Sequence, residues 1–259
     1  MTKYGICVLS LVPVRKQPSD SSEMINQLLF GDLLFIDEIL DNWSLIRTSH
    51  DNYEGWIDNK QLRLIEESEF NSILASDIHF VKDIICSVKS QDNNDVNLVF
   101  GSKLPNYANG TFRISDTTYN IEAKQTPPLL YNQDKLLATA IKYIGAPYLW
   151  GGRSPFGIDC SGLIQIVFGM HGISLKRDAY QQAESGTTIN FINEAQIGDL
   201  VFFDNDEGKI THVGIISGEN NILHASGEVR IDRIDHHGIY NEEIKKYSHK
   251  LRIIKRILN

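Results

Sequence analysis

Apolar residues come in short bursts over the first 65 positions of the chain. Residues 5–14 are apolar with Pro13 near the end, residues 27–30 run into a Gly31-Asp32 turn, and residues 33–36 follow. Asp41-Asn42 interrupts the pattern, residues 43–48 resume it, and residues 52–57 close the set. Short runs punctuated by Gly, Asn and Asp predict strands joined by tight turns, and strands this close together predict a small β-barrel over residues 1–65. Residues 75–125 carry a weaker copy. Leu98-Val99-Phe100-Gly101 echoes Leu28-Leu29-Phe30-Gly31, and Asn109-Gly110-Thr111-Phe112-Arg113 echoes Asn42-Trp43-Ser44-Leu45-Ile46. The echo predicts a second, degenerate barrel, joined to the first by a helical stretch at 66–75. Thr126-Pro127-Pro128 then reads as a stiff linker.

The pattern changes over residues 129–259. Leu136, Leu137, Ala140, Ile141 and Ile144 have helical spacing, as do Leu163, Ile164, Val167 and Phe168, which predicts helices over 132–144 and 160–171. A stretch broken by Gly and Pro, 145–158, separates them. Residues 198–203, 210–217, 221–225 and 250–257 read as strands. The fold class is therefore α+β: two small β-barrels followed by a domain of helices and sheet.

Composition adds little, since 42% hydrophobic and 22% charged residues among 259 is ordinary for a globular chain. Charge adds more. The balance of 25 basic against 33 acidic side chains gives −8, which repels a polyanion over most of the surface. With no basic stripe interleaved with aromatics, no nucleic-acid partner is expected. No window approaches the roughly 18 apolar residues of a membrane span. The apolar run 6–14 is closed by Pro13 and Arg15 without a cleavage pattern. If Met1 is the native start, the expectation is a cytoplasmic protein without a membrane partner.

Cys7, Cys86 and Cys160 lack CxxC spacing, which argues against a disulfide framework and a structural zinc site. Cys7 and Cys86 lie in apolar runs and read as small buried hydrophobes. Cys160 stands where a glycine-rich loop enters a helix. Asp159 is a plausible N-cap, so Cys160 falls in the first turn, where free N–H groups and the helix dipole favour an anion. That placement is expected to lower the thiol pKa and expose a nucleophile.

Thr211-His212-Val213-Gly214-Ile215-Ile216 and Ile222-Leu223-His224-Ala225-Ser226 read as adjacent strands around a turn at Gly218. A regular hairpin centred there sets His212 directly opposite His224, on one face. His212 could then take the thiol proton while His224 orients its ring. Two histidines on one face could also ligate a metal, but no Cys or carboxylate at zinc spacing joins them, so no metal or other cofactor is expected. His236-His237 reads as a polar turn, and His50, His79, His171 and His249, which have no partner pattern, as solvated loop.

Tyr148-Leu149-Trp150-Gly151-Gly152 and the segment Ser154-Pro155-Phe156-Gly157-Ile158-Asp159-Cys160-Ser161-Gly162 closely resemble the NlpC-type cell-wall cysteine peptidases. So do Arg177-Asp178, Gly198-Asp199-Leu200-Val201-Phe202-Phe203, His212-Val213-Gly214-Ile215 and His224-Ala225-Ser226, in the same order over about 125 residues. The resemblance implies a papain-like cysteine peptidase domain with a Cys160-His212-His224 triad. Tyr148 matches the tyrosine that helps at the oxyanion, and Trp150 would line the cleft. Asp159 and Ser161 would bind polar groups of the substrate, and Asp178 the peptide's free amine. Ala179 stands where the family often has serine, which puts that one contact in doubt.

The front region resembles bacterial SH3-like domains, through its Gly55-Trp56-Ile57 step, and the pairing resembles the γ-D-glutamyl-L-diamino acid endopeptidases. There, Glu and Tyr at the positions of Glu23 and Tyr53 reach into the cleft and close the subsite for L-Ala. The resemblance thus implies an enzyme cutting the γ-D-Glu–diamino acid bond of murein peptides with a free N-terminal L-Ala. The diamino acid is diaminopimelate or Lys, and the setting is cell-wall recycling by a monomer. Two rivals stay open: an amide- or lipid-directed acyltransferase or amidase on the same Cys-His fold, and a catalytically inactive wall-binding module. The lack of a membrane-seeking apolar helix disfavours the first, and the intact Cys160, His212 and His224 disfavour the second.

Overall fold

The computed structural model describes residues 3–92, 94–122, 125–126 and 131–258, so Pro127 and Pro128 of the expected linker and residue 129 of the expected boundary lie outside the described residues. Two compact units emerge: Met1–Leu129 with Trp150–Pro155, and Leu130–Leu149 with Phe156–Asn259.

The first unit opens with strands β1 (Lys3–Ile6), β2 (Leu11–Arg15), β3 (Met24–Leu29), β4 (Leu33–Ile39), β5 (Trp43–Thr48), β6 (Glu54–Asp58) and β7 (Arg63–Ile65). They pair in the order β3-β2-β6-β5-β4-β1-β7. Alternation places one face of each strand inward: Val12 and Val14 of β2, Ile46 of β5 and Ile57 of β6 meet Cys7, Leu28, Leu34 and Ile36 in one core. Helix α1 (Glu67–Leu74) buries Phe70 and Ile73.

A second β body follows: β8 (His79–Val81), β9 (Ile85–Ser90), β10 (Asp95–Val99), β11 (Lys103–Leu104), β12 (Thr111–Ile114), β13 (Thr117–Asn120) and β14 (Gln125–Thr126). It forms the sheets β10-β9-β13-β12 and β11-β8-β14. Val88, Leu98, Phe112 and Tyr119 share a core with Phe30, Phe70 and Ile73. The sequence echo has a structural counterpart. Gly31 and Gly101 turn the chain at φ 85° and 86°, a conformation that favours glycine. The side chain after each ties back to the strand it follows: Asp32 Oδ2 accepts from Leu29 N at 3.0 Å, and Ser102 Oγ from Val99 N at 3.2 Å.

Asp32 also gathers two cations, Lys103 Nζ at 2.8 Å and Arg153 Nη1 at 2.9 Å. Burial opposes its ionisation, yet Lys103 and Arg153 outweigh burial and hold its carboxyl well below the ordinary value. Arg153, on the short β15 (Arg153–Ser154), further binds Gln27 through its own N–H to Oε1 at 3.1 Å and through Nη1 to the carbonyl at 3.0 Å. The segment 150–155 is thereby fastened to β3.

In the second unit, α2 (Gln133–Ile141) is capped by Asn132, whose side chain accepts from Lys135 N. It stops short of the expected 144, because the chain turns into Gly145 at φ 81°. β16 (Gly157–Ile158) leads into α3 (Cys160–Met170), with α4 (Ala179–Gln182) and β17 (Thr187–Ile189) after it. Then come β18 (Leu200–Asp204), β19 (Ile210–Gly218), β20 (Asn221–Ser226), β21 (Glu228–Asp235), β22 (Gly238–Asn241) and β23 (Lys246–Arg256). They pair in the order β17-β23-β18-β19-β20-β21-β22, and β22 pairs back onto β23, which closes six of the strands into a barrel. The long β23 offers one edge to β18 and divides the other between β17 and β22. Leu163, Ile164, Val167 and Phe168 of α3 are fully buried, and the helix lies against β19 and β20. Among the described residues no helix is long and apolar enough to cross a membrane.

Candidate active site

Cys160 is the first residue of α3. Asp159 caps the helix by accepting from Gly162 N at 2.7 Å. Its carboxylate meets Arg177 on both oxygens, Nη1 to Oδ1 at 2.9 Å and Nη2 to Oδ2 at 2.6 Å, and Arg177 Nη1 also reaches Ser161 Oγ at 2.9 Å. Arg177 is 1% exposed. Asp159 and Ser161, expected to meet substrate, therefore turn their side chains toward this buried guanidinium. The Cys160 sulfur is hydrogen-bonded by the backbone of Val213, the residue after His212, and of Ser161. The expected fall in thiol pKa is reversed. Burial, with Asp159 beside it, outweighs these bonds and Arg177, and pushes the thiol up to about 12. Cys160 rests as a neutral thiol.

β19 and β20 bring the two histidines together, with His212 Nε2 and His224 Nδ1 2.8 Å apart. Their register differs from the expected hairpin. His224 stands opposite Gly214, because a bulge between Ile216 and Gly218 and a left-handed Asn220 (φ 56°) tighten the turn. The shift is even, so both rings keep the same face. Burial first, then His249 and His224, hold the His212 ring well below the usual histidine pKa, so it is a neutral base.

Two partners of this pair have no counterpart in the sequence reading. Asp232 on β21 lies 3.0 Å from His224 Nε2. The sequence hides it because the two-residue step from Val229 to Ile231 gives way to a three-residue step to Ile234, so no single period marks the strand. His249 on β23 stacks on His212 with ring centroids 4.1 Å apart and planes at 25°. It is not solvated loop, and neither are His50 and His171, which pack against Asp51 and Thr139. His236-His237 does form an exposed turn, with His237 N bonded to Asp235 Oδ1 at 2.8 Å.

Among the described residues, His212, His224 and His249 also bring ring nitrogens within 4.8 Å of one another, the spacing of a metal site. However, stacked rings run their in-plane lone pairs side by side, and His212 and His224 engage each other. The geometry suits a hydrogen-bond relay better than a ligand cage.

Tyr148 enters this unit through Tyr148 N to Gly227 O at 2.8 Å. Burial, then the nearby Cys160 and Asp159, pushes its hydroxyl up to about 12, so it stays a hydrogen-bond donor. Asp178 heads α4, with its N–H held by Gln181 Oε1 at 3.3 Å.

The NlpC/P60 family signature matches residues 145–248, and that of the bacterial dipeptidyl-peptidase Sh3 domain residues 14–62. The γ-D-glutamyl-L-lysine dipeptidyl-peptidase of Bacillus subtilis (strain 168) is 30% identical over 221 residues, 77% of this chain and 71% of the relative. The chain belongs to the NlpC/P60 family. It is a cysteine peptidase of that family, carrying an SH3-like region ahead of the peptidase unit. Dipeptidyl-peptidase 6 of Lysinibacillus sphaericus is 27% identical over 93% of this chain and 95% of its own. A crystal structure of an NlpC/P60 family protein from Bacillus cereus ATCC 10987 shares the fold at a TM-score of 0.82 and 19% identity, over 99% of this chain and 100% of the other.

The first unit of this NlpC/P60 peptidase unites two more residues picked from distant parts of the sequence. Trp150 Nε1 donates to Glu23 Oε1 at 2.9 Å. Glu23 also pairs with Lys16 at 3.3 Å and remains exposed. Tyr53 is half-buried, its N–H bonded to Thr48 Oγ1 at 3.0 Å and Asp51 Oδ1 at 3.1 Å.

Proposed function

We propose that this peptidase cleaves the γ-D-glutamyl–diamino acid bond of short murein peptides with a free N-terminal L-Ala, in the recycling of wall fragments inside the cell. The observation that carries the chemistry is the 2.8 Å contact between His212 and His224, in the unit where Cys160 opens α3 behind its Asp159 cap. Because the thiol rests neutral, His212 removes its proton as the sulfur attacks the γ-carbonyl. Tyr148 O–H and the Cys160 N–H donate to the developing oxyanion. His212 then gives the proton to the leaving amine. Water attacks the thioester, His212 takes its proton, and the thiol is restored with release of the dipeptide.

The bond is read from the γ-D-glutamyl-L-lysine specificity that names the Bacillus subtilis relative. Trp150, Asp178, Glu23 and Tyr53 are assigned to substrate binding. An exposed carboxylate such as Glu23 suits a peptide ammonium, since a charge-assisted bond of that kind is lost when the amine is acylated. Asp159 and Ser161 act in this reading chiefly by holding the turn that carries Cys160.

The test uses L-Ala-γ-D-Glu-diaminopimelate, its Lys counterpart and the N-acetylated form of each, with products followed by mass spectrometry. L-Ala-D-Glu should appear from a free peptide and not from its acetylated form. Glu23→Ala should narrow that gap, and Cys160→Ala should be inactive. Near-normal turnover by Cys160→Ala would overturn the mechanism. Equal rates on free and acetylated peptide would overturn the free-end requirement alone.

A further inference from the structure

The reaction as derived uses Cys160, His212 and His224 and leaves out the charged pair behind them. Asp232 is buried and lies 3.0 Å from His224 Nε2. Arg230 reaches its other oxygen, Nε to Oδ1 at 3.1 Å and Nη2 to Oδ1 at 3.0 Å, and bonds Glu243 Oε1 with Nη2 at 3.2 Å. In the β20–β21 ladder His224 stands opposite Arg230, and Asp232 opposite Ile222, so the carboxylate approaches His224 along the diagonal of one face.

We propose that Asp232 is a positioning residue that sets the direction of both hydrogen bonds linking it through His224 to His212. The inference rests on the Cys160–His212 reading above.

An ionised carboxylate has no proton to donate. His224 must therefore carry its hydrogen on Nε2, and as a neutral ring it presents a bare lone pair at Nδ1. That lone pair faces His212 Nε2 at 2.8 Å, so His212 must carry its own hydrogen there. The only nitrogen of a neutral His212 left to accept a proton is Nδ1. A single carboxylate thus decides which end of the base is vacant, two hydrogen bonds away from itself. When His212 becomes positive, two hydrogen bonds link the new charge to a buried anion. Among the described residues, His249, stacked on His212, Arg230 with its Glu243 partner, and Cys160, bonded to the Val213 backbone, are further ionisable groups around the pair.

Arg230 makes the proposal testable. A guanidinium only donates. In Asp232→Asn the amide oxygen must face Arg230, which turns the amide N–H toward His224. His224 Nε2 becomes an acceptor, its hydrogen moves to Nδ1, and His212 is left with its hydrogen on the nitrogen that should be bare. Asp232→Asn is expected to lower kcat by about 100-fold with KM little changed, a milder form of the wrong-tautomer effect known for serine protease triads. Asp232→Ala, which leaves His224 free to choose, should lose only about 10-fold. Adding Arg230→Ala to Asp232→Asn releases the amide to flip and should recover much of the loss. A merely structural role for Asp232 predicts the opposite order and no recovery.

Nitrogen-15 NMR of labelled histidines in Cys160→Ala protein reads the tautomers without turnover. Hydrogen on Nε2 is expected at both His212 and His224, moving to Nδ1 in Asp232→Asn. Hydrogen on Nδ1 in the parent, a wild-type kcat in Asp232→Asn, or greater damage from alanine than from asparagine would each overturn the proposal. Failure of the underlying mechanism is distinguishable, since it would appear as activity surviving Cys160→Ala or His212→Ala.

Discussion

His224 faces Gly214 across the β19–β20 ladder, and the lack of a side chain at Gly214 is what gives the histidine its room. A Cβ at Gly214 would lie 3.0 Å from His224 Cβ and 2.7 Å from Ile222 Cδ1, on a strand buried on both sides. Gly214→Ala is therefore expected to displace His224 and to lower kcat by at least about tenfold, since a misplacement near 1 Å can cost about 100-fold. Steady-state kinetics, with folding followed by circular dichroism, checks this. Unchanged kcat in a folded variant would show that the ladder yields at this point.

The two histidines should not be equal. In the proposed reaction His212 moves the proton, and His224 only orients and stabilises it. His212→Ala is expected to remove turnover, a loss of about 10⁴-fold or more, and His224→Ala to cost about 10²-fold to 10³-fold. Matching losses in kcat would mean that the pair works as one indivisible base.

Arg177 is predicted to matter first for folding. Removing one partner of a buried ion pair leaves the other charge uncompensated and costs about 3–5 kcal/mol. Arg177→Met should destabilise the peptidase unit on that scale in urea unfolding. Arg177→Lys should rescue little, because an ammonium cannot present two parallel donors to Asp159. Arg177→Met combined with Asp159→Asn should recover part of the loss. A stability change below about 1 kcal/mol in Arg177→Met would refute the assignment.

Acid should loosen both units first through their buried histidines. Burial pushes His50 down to about 4 and His249 down to about 4, and holds His212 lower than an ordinary histidine. The unfolded chain protonates these rings below about pH 6.5, where the folded chain does not. The unfolded state binds more protons there, so stability falls as pH drops from about 6.5 toward 4, by up to about 1.4 kcal/mol per unit for His50. Asp32, Asp51 and Asp232, whose carboxyls are held lower than usual, add to the loss below about pH 4. Urea midpoints at pH 7 and pH 5 test this, and a higher midpoint at pH 5 would contradict it.

Local pattern carried much of this structure. Residues 43–48 resume the apolar pattern after the Asp41-Asn42 turn and form β5, and Leu163, Ile164, Val167 and Phe168 recur at helical spacing in α3, so both elements were readable from the chain. The places of Cys160 at the start of α3 and of His212 and His224 on neighbouring strands were readable because each sits in a run of clear strand or helix signal. What was not readable depends on register and on distance in sequence. The opposition of His224 to Gly214 comes from a bulge at residues 216–218 that no alternation announces. Asp232 reaches His224 only because β21 pairs with β20 in one particular register. The thiol's rise toward 12 follows from how deeply α3 is buried, a property of the packed unit.

The closing of β22 onto β23 has a consequence for how the peptidase unit comes apart. An open sheet can fray from its outer strand inward, one pairing at a time. In the six-stranded ring, β19 and β20 each have a hydrogen-bonded neighbour on both sides, and no strand of the ring is outermost. Separating His212 from His224 then means splitting the β19–β20 ladder within a closed ring, with no outer strand to peel away first. Amide hydrogen exchange along β19 and β20 should accordingly report only the loss of the whole unit, with Val213 and Leu223 exchanging together and at the slowest rate the unit allows.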